Sequence, residues 1–191
     1  MKEYIPLLAE SGKQFLVLGN MNHITFKEIF HYFRENKMWL GYNAGHFWFK
    51  VPDYYEAKNT DYKQDEDGQK WRRLGNICWF TNMDIDIRHQ FLDLYKHFSI
   101  QEYPEYDNYD AYFVKTVADI PCDTDKPLAV PITFLSSFSP DQFELLDANQ
   151  FRKYDEVPVK SHGLIKDKDG TIKGKATYAR LLVRNRNPEK E

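Results

Sequence analysis

The sequence predicts an α/β fold built on a largely parallel sheet, and three observations carry that reading. Phe15 to Leu18 is a short apolar run behind a Gly-Lys turn, the length and composition of a strand buried on both faces. Phe26, Ile29, Phe30 and Phe33 then fall at i, i+3, i+4 and i+7, a single apolar stripe on a helix that must pack on something flat. Further short apolar runs recur down the chain between Pro, Gly, Asn and Asp punctuation, the pattern of strands separated by turns.

Tyr4 to Glu10 reads as a helix closed by Ser11-Gly12, with glycine where helices leave in the left-handed conformation. Thr25 and Glu28 have the spacing of a capping box, which starts the second helix at Thr25 and carries it to about Asn36. Lys37 to Tyr42 and His46 to Pro52 read as two strands of a hairpin turning at Asn43-Ala-Gly45. Residues 56 to 70 are polar and charged, an exposed loop with little structure of its own. Trp71 to Asn82 reads as a strand broken or bulged around Gly75, and Ile85 to Phe98 as a helix or long turn between strands. Ala111 to Val117 is a strand, and Val130 to Leu135 is extended. Ser139-Pro-Asp-Gln142 combines an N-cap serine, proline at the first helical position and Gln three residues after the cap, so it starts a helix. Leu164 to Asn187 reads as a hairpin turning at Asp167 to Gly170. Its last strand sets Tyr178, Arg180, Leu182, Arg184 and Arg186 on one face and Ala179, Leu181 and Val183 on the other.

The 191 residues are enough for one domain or one and a half. The pattern changes near the charged loop, which divides the chain into residues 1–85 and 86–191. Aromatic content of 16% alongside a mean hydropathy of -0.68 describes an aromatic-rich core in a polar shell. Two distant cysteines signal no disulfide framework, and no apolar run is long enough to span a membrane, so the chain is expected in the cytoplasm. The net charge of -3 argues against a generic nucleic-acid binder, but it is unevenly spread. Residues 151–191 hold 11 Lys/Arg against 6 Asp/Glu, whereas residues 1–150 hold 15 against 23. The basic end is the C-terminal one.

No two of the six histidines have the spacing that places two ligands on one helix face, so no metal site is expected. No G-x-S-x-G elbow, G-x-G-x-x-G loop or P-loop occurs, which leaves nucleophilic catalysis and phosphate cradling without a motif. Binding candidates come from position and chemistry. The carboxyl end of the first strand, Gly19 to Asn22, is where open α/β sheets bind ligands. Asn20 and Asn22 offer donors and acceptors for a base edge, although such residues also bond their own backbone. Tyr42 and Phe47, with Trp48, provide flat rings for stacking, or ordinary packing of the hairpin. Lys173, Lys175, Arg180, Arg184 and Arg186 suit DNA phosphates, or serve as the charges that protect an edge strand.

Taken together, Phe15-Leu-Val-Leu-Gly-Asn-Met-Asn-His-Ile-Thr-Phe-Lys-Glu-Ile-Phe30, Met38-Trp-Leu-Gly-Tyr42, Trp79-Phe-Thr-Asn-Met83, Tyr106-Asp-Asn-Tyr-Asp110 and Val130-Pro-Ile-Thr-Phe-Leu135 with Pro140-Asp-Gln-Phe-Glu144 resemble the adenine-specific DNA methyltransferases of the EcoRI modification methylase type. The resemblance runs from residue 1 to about residue 186. It implies transfer of a methyl group from S-adenosylmethionine to N6 of an adenine turned out of duplex DNA, within a restriction-modification system. The glycine-rich cofactor loop and the Asn-Pro-Pro-Phe tetrapeptide of that family are not among these residues, so no catalytic residue is assigned. The chain alone is expected neither to bind S-adenosylmethionine nor to methylate.

The resemblance makes residues 1–85 the C-terminal half of a doubly wound, Rossmann-like methyltransferase sheet and residues 86–191 a mixed, strand-rich target-recognition region. Asn20, Asn22, Tyr42 and Phe47 would then lie by the target adenine, with the basic tail on the DNA backbone. Duplex DNA is the expected partner, joined by an N-terminal half supplied on another chain or by a second copy paired through an exposed sheet edge. The alternative is a non-catalytic DNA-binding module or an inactive remnant.

Overall fold

Tyr4–Glu10 forms α1, and its closure follows the sequence: the Ser11 hydroxyl donates to the Leu8 carbonyl at 2.7 Å, and Gly12 takes φ +69°. The computed structural model describes residues 1–42, 45–56, 61–106, 110–148, 165–166, 172–173 and 180–190. The strands are β1 Leu16–Asn20, β2 Trp39–Leu40, β3 Gly45–Lys50, β4 Tyr62–Gln64, β5 Lys70–Thr81, β6 Tyr112–Phe113, β7 Leu128–Pro131, β8 Phe143–Ala148, β9 Ile165–Lys166, β10 Ile172–Lys173 and β11 Arg180–Asn185. The second helix, α2, is Lys27–Arg34. The fold is mixed α/β.

β5 organises the first sheet. Its twelve residues pair antiparallel with β1 on one side and with β2, β3 and β4 elsewhere along its length. Since β1 and β2 both oppose β5, they run parallel to each other, joined through a 3-10 turn at Met21–Thr25 and α2. Ile29, Phe30 and Phe33 of the expected stripe are buried, with Tyr32 beside them.

The second sheet has the order β6-β7-β11-β8, and only its β6–β7 pair is parallel. One apolar core joins both sheets, from Ile5 and Phe80 to Phe134, Phe143 and Val183. β9 and β10 form a separate antiparallel pair, in line with the hairpin read from the sequence, although its turn lies outside the described residues.

Several expectations are overturned. β1 is not buried on both faces and its partner is not parallel. It is the edge strand of its sheet, with Leu16 51% and Leu18 40% exposed, while Val17 packs on the core. The Thr25–Glu28 capping box does not form: the Thr25 hydroxyl donates to the Asn22 carbonyl within the 3-10 turn, and α2 begins at Lys27. β2 and β3 do not pair with each other. Both lie antiparallel along the same side of β5, because a strand of that length outcompetes the short hairpin expected across residues 43–45. Asn43 and Ala44 lie outside the described residues.

The charged 56–70 segment contains β4, which forms a hairpin with β5 around Gly68 at φ +80°. The bulge near Gly75 is present. His46 pairs with Gly75 but Gly45 with Ile77, so Asn76 is the extra residue, at φ +56°.

Between residues 85 and 98 only Asp86–His89 is helical, a 3-10 turn. The strand expected over 111–117 is confined to Tyr112–Phe113, and the extended 130–135 run turns 3-10 from Ile132 to Ser137. No helix starts at Ser139. Its carbonyl accepts the N–H groups of Gln142 and Phe143, closing one turn before β8 begins. Gln142, expected to complete the cap, instead clasps Leu92: Oε1 accepts its N–H at 2.7 Å and Nε2 donates to its carbonyl at 2.8 Å. Phe143 and Leu145 are buried beside β11, so strand pairing and burial prevail over good local capping.

Candidate target pocket and nucleic-acid interface

The carboxyl end of β1 is shaped by its own asparagines. Asn20 Oδ1 accepts the Asn22 N–H at 2.9 Å, which caps the 3-10 turn and points the chain away from the sheet. Met21, Ile24 and Thr25 anchor the turn inward, whereas Asn22 is exposed. His23 stands beside them with Nδ1 buried and without a hydrogen-bond partner among the described residues. Burial lowers its pKa from 6.5, so the ring is neutral at pH 7. Gly19 is held tightly: a Cβ there would lie 2.6 Å from the Met1 side chain and 2.8 Å from the Phe80 ring.

The register of β5 brings the other predicted residues to the same end. Asn20 and Gly45 both pair with Ile77 from opposite sides, which sets their backbones about 10 Å apart, two strand spacings. Gly41 donates to the Trp79 carbonyl at 2.9 Å, so the following Tyr42, 49% exposed, emerges beside this position. Phe47 is engaged in packing, stacked on Phe49 at 5.9 Å and edge-on to Trp79 at 6.3 Å. Thus Asn22 and Tyr42 are exposed at this end of the sheet, while Asn20 caps the turn and Phe47 packs against its neighbours.

A second group, of which the sequence reading named only Trp48, lies further along the sheet. On β3, β4 and β5, Lys63 lies over the rings of Trp48 at 4.6 Å and Trp71 at 5.8 Å, and Lys50 over Trp71 at 5.4 Å. Arg73, on the same face, lies 5.9 Å from Trp48, whereas Arg72 alternates to the opposite face, 5.5 Å from Tyr55. Interleaved cations and flat rings suit a nucleic-acid strand. The signal was present in Lys70-Trp-Arg-Arg73, but the strands that bring Trp48 and Lys63 beside it had been read as a separate hairpin and a loop. Asp61 pairs with Arg73 at 2.9 Å and Asp65 accepts from Trp71 Nε1 at 2.8 Å, which holds these side chains in place.

The arginines of β11 divide into two kinds. Arg180 is buried: its Nη1 donates to the Val114 carbonyl at 2.8 Å and its guanidinium stacks 4.5 Å from the Phe113 ring. It belongs to the fold rather than to the surface. Arg184 and Arg186 are exposed, the former 3.3 Å from Glu144. Lys173 lies in β10, and Lys175 lies outside the described residues.

Beside the first sheet, Arg88 stacks 3.8 Å from the Trp39 ring and His89 Nε2 contacts Asp84 at 2.7 Å. The hydrogen bond to Asp84 raises the His89 pKa above 6.5 and lowers that of Asp84 below 3.8. The sign follows directly. The stability His89 adds is full below pH 6.5 and is lost as pH rises through its raised folded value. D84N is expected to bring the His89 midpoint down toward 6.5 in an NMR titration of the ring protons; an unmoved midpoint would refute the pairing.

An antiparallel sheet with a covered face, an exposed edge strand and polar and aromatic residues at one strand end, joined by one core to a second, mixed sheet, makes this an α/β protein. The comparisons name the family. The model of the EcoRI adenine-specific methyltransferases matches residues 1–186, and the chain belongs to that family. It is 40% identical over 193 residues to the type II methyltransferase M.EcoRI of Escherichia coli, covering 99% of this chain and 55% of the relative. It is 34% identical over 196 residues to the type II methyltransferase M.MpnI of Mycoplasma pneumoniae, covering 97% and 60%. The chain therefore spans little more than half the length of these relatives. No solved structure matches it.

Proposed function

We propose that the chain is the C-terminal, target-recognition part of an S-adenosylmethionine-dependent N6-adenine DNA methyltransferase of a restriction-modification system, and that alone it transfers no methyl group. The observation that carries this reading is the family match over nearly the whole chain, set against coverage of only 55–60% of the relatives. Neither a glycine-rich cofactor loop nor Asn-Pro-Pro-Phe occurs in the 191 residues. Without groups that accept hydrogen bonds from N6, the transition-state contacts are missing rather than weakened.

In this reading residues 1–85 are the end of a doubly wound sheet. The parallel pair β1 and β2, linked through α2 and separated by antiparallel β5, is compatible with such an ending. The exposed edge of β1, with Leu16 and Leu18, accepts the remaining strands from an N-terminal half or, failing that, from a second copy. Asn22 and Tyr42 would face the extruded adenine, with Asn20 and Phe47 behind them. Arg184 and Arg186, the tail lysines Lys173 and Lys175, and the Lys50, Lys63 and Arg73 group would hold duplex DNA. Among the described residues no helix is long and apolar enough to cross a membrane, and both cysteines are free and buried, which supports the cytoplasm as the compartment.

The test is methyl transfer from labelled S-adenosylmethionine to duplex DNA. The chain alone is expected to be inactive, and activity is expected when it is mixed with a polypeptide carrying the two missing motifs. Transfer by the chain alone would overturn the claim of inactivity. Duplex binding without transfer in any mixture would favour a DNA-binding module.

A further inference from the structure

We propose that His97, Cys122 and Asp123 form a zinc-binding site that ties the irregular segment ending at Phe98 to the second sheet. Their donor atoms, the imidazole Nδ1, the thiol Sγ and a carboxylate oxygen, all lie within 4.8 Å of one another. His97 Nδ1 is 3.8 Å from Cys122 Sγ and 3.2 Å from Asp123 Oδ2. A tetrahedral zinc ion with ordinary bond lengths sets a sulfur–nitrogen edge of about 3.6 Å and a nitrogen–oxygen edge of about 3.4 Å. These two edges are within a few tenths of an ångström of those figures before any side chain moves, and closing the sulfur–oxygen edge to about 3.6 Å takes only rotation of the side chains.

The backbone around the cluster is already fixed. The Cys122 N–H donates to the Lys96 carbonyl at 2.8 Å, and its own carbonyl accepts from Asn185 Nδ2 at 3.2 Å and the Glu189 N–H at 2.9 Å. Asp123 uses Oδ1 to accept the Phe98 N–H at 2.7 Å, which orients the carboxylate and leaves Oδ2 for the ion. His97 is mostly exposed, so Nε2 can keep its proton while Nδ1 offers its lone pair. Glu189 lines the cleft beside Cys122 and is placed to relay the thiol proton to solvent, and water fills the fourth position. On binding, the S–H bond breaks, the S–Zn bond forms and the proton passes to solvent. A cleft of about 260 Å³ lined by Cys122, Asn185, Asn187 and Glu189 borders the site.

The donor set selects the metal. Thiolate with imidazole and carboxylate suits zinc and disfavours magnesium and calcium, which require oxygen ligands. A Cys-His nucleophilic pair is the competing use of the same residues. It needs the histidine to face the thiol and its orienting carboxylate through different ring nitrogens, whereas here Nδ1 faces both.

The test uses the full chain stripped with a chelator and titrated with cobalt(II) as a spectroscopic stand-in. The expected result is a thiolate-to-cobalt charge-transfer band that saturates at one equivalent and disappears when zinc is added. H97A, at an exposed position, should keep its circular dichroism and bind roughly 100-fold more weakly, since it removes a ligand outright. Native mass spectrometry of the unaltered chain gives a reading independent of the variant and should show one zinc per chain. Absence of the band in the folded chain, undiminished affinity in H97A, or no retained zinc would overturn the assignment.

Discussion

Replacing Phe80 by alanine is expected to cost about 3–5 kcal/mol, a large share of the roughly 5–15 kcal/mol that holds a domain folded. Phe80 is fully buried in β5, paired with Val17 of β1 on one side and Leu40 of β2 on the other. Its ring meets Phe33 of α2 edge-on at 6.0 Å, so one side chain joins the two parallel strands to the helix that connects them. Gly19 lacks the Cβ that would strike this ring, so nothing adjacent is shaped to refill the void. Urea denaturation should give a lower midpoint with little change in slope. A loss below about 1 kcal/mol would mean that the core is not centred on this residue.

Arg180, which opens β11, and Arg186, which follows its end, share a face in the sequence pattern but are expected to behave oppositely. R180A removes the donor held by the Val114 carbonyl and the guanidinium stacked on Phe113, in a region closed by Leu182, Ala129 and Ala111. Leaving that carbonyl buried and unmet should cost about 2–4 kcal/mol. R186A, at an exposed position, should change stability by less than about 0.5 kcal/mol. In duplex binding followed by anisotropy, R186A should weaken affinity and flatten the salt dependence by about one unit of slope. Thermal melts and binding isotherms on the same two variants separate the roles. A destabilised R186A with intact binding, or a stable R180A, would reverse the assignment.

The arginine face was misread, and the cluster now proposed to bind zinc went unseen, for a common reason. The sequence offers chain neighbours, whereas His97 reaches Cys122 and Asp123 across 25 and 26 residues, and Arg180 reaches Val114 across 66. The alternation of β11 was correct in period: Leu181 and Val183 join the main core. Which polar side of the strand would meet water depended on β6 and β7, and their neighbourhood covers Arg180 but leaves Arg184 and Arg186 exposed. Ser139 gives the same lesson for local structure. Three capping signals agreed on a helix, yet burial of Phe143 and Leu145 against β11 and the Gln142–Leu92 clasp outweighed them.

By itself the sequence determined what depends on short-range physics. That includes α1 and its glycine exit, the apolar stripe of α2, the long strand with an irregularity near Gly75, and a family pattern spread over most of the chain. The tertiary structure decided which strands pair, and therefore what each one exposes. β5 is long enough to collect four partners, which turned β1 into an edge strand and aligned β2 with β3 instead of folding them together. Propensity and periodicity are set by near neighbours along the chain, but a strand gains its hydrogen bonds and burial from partners tens of residues away, where local pattern carries no signal.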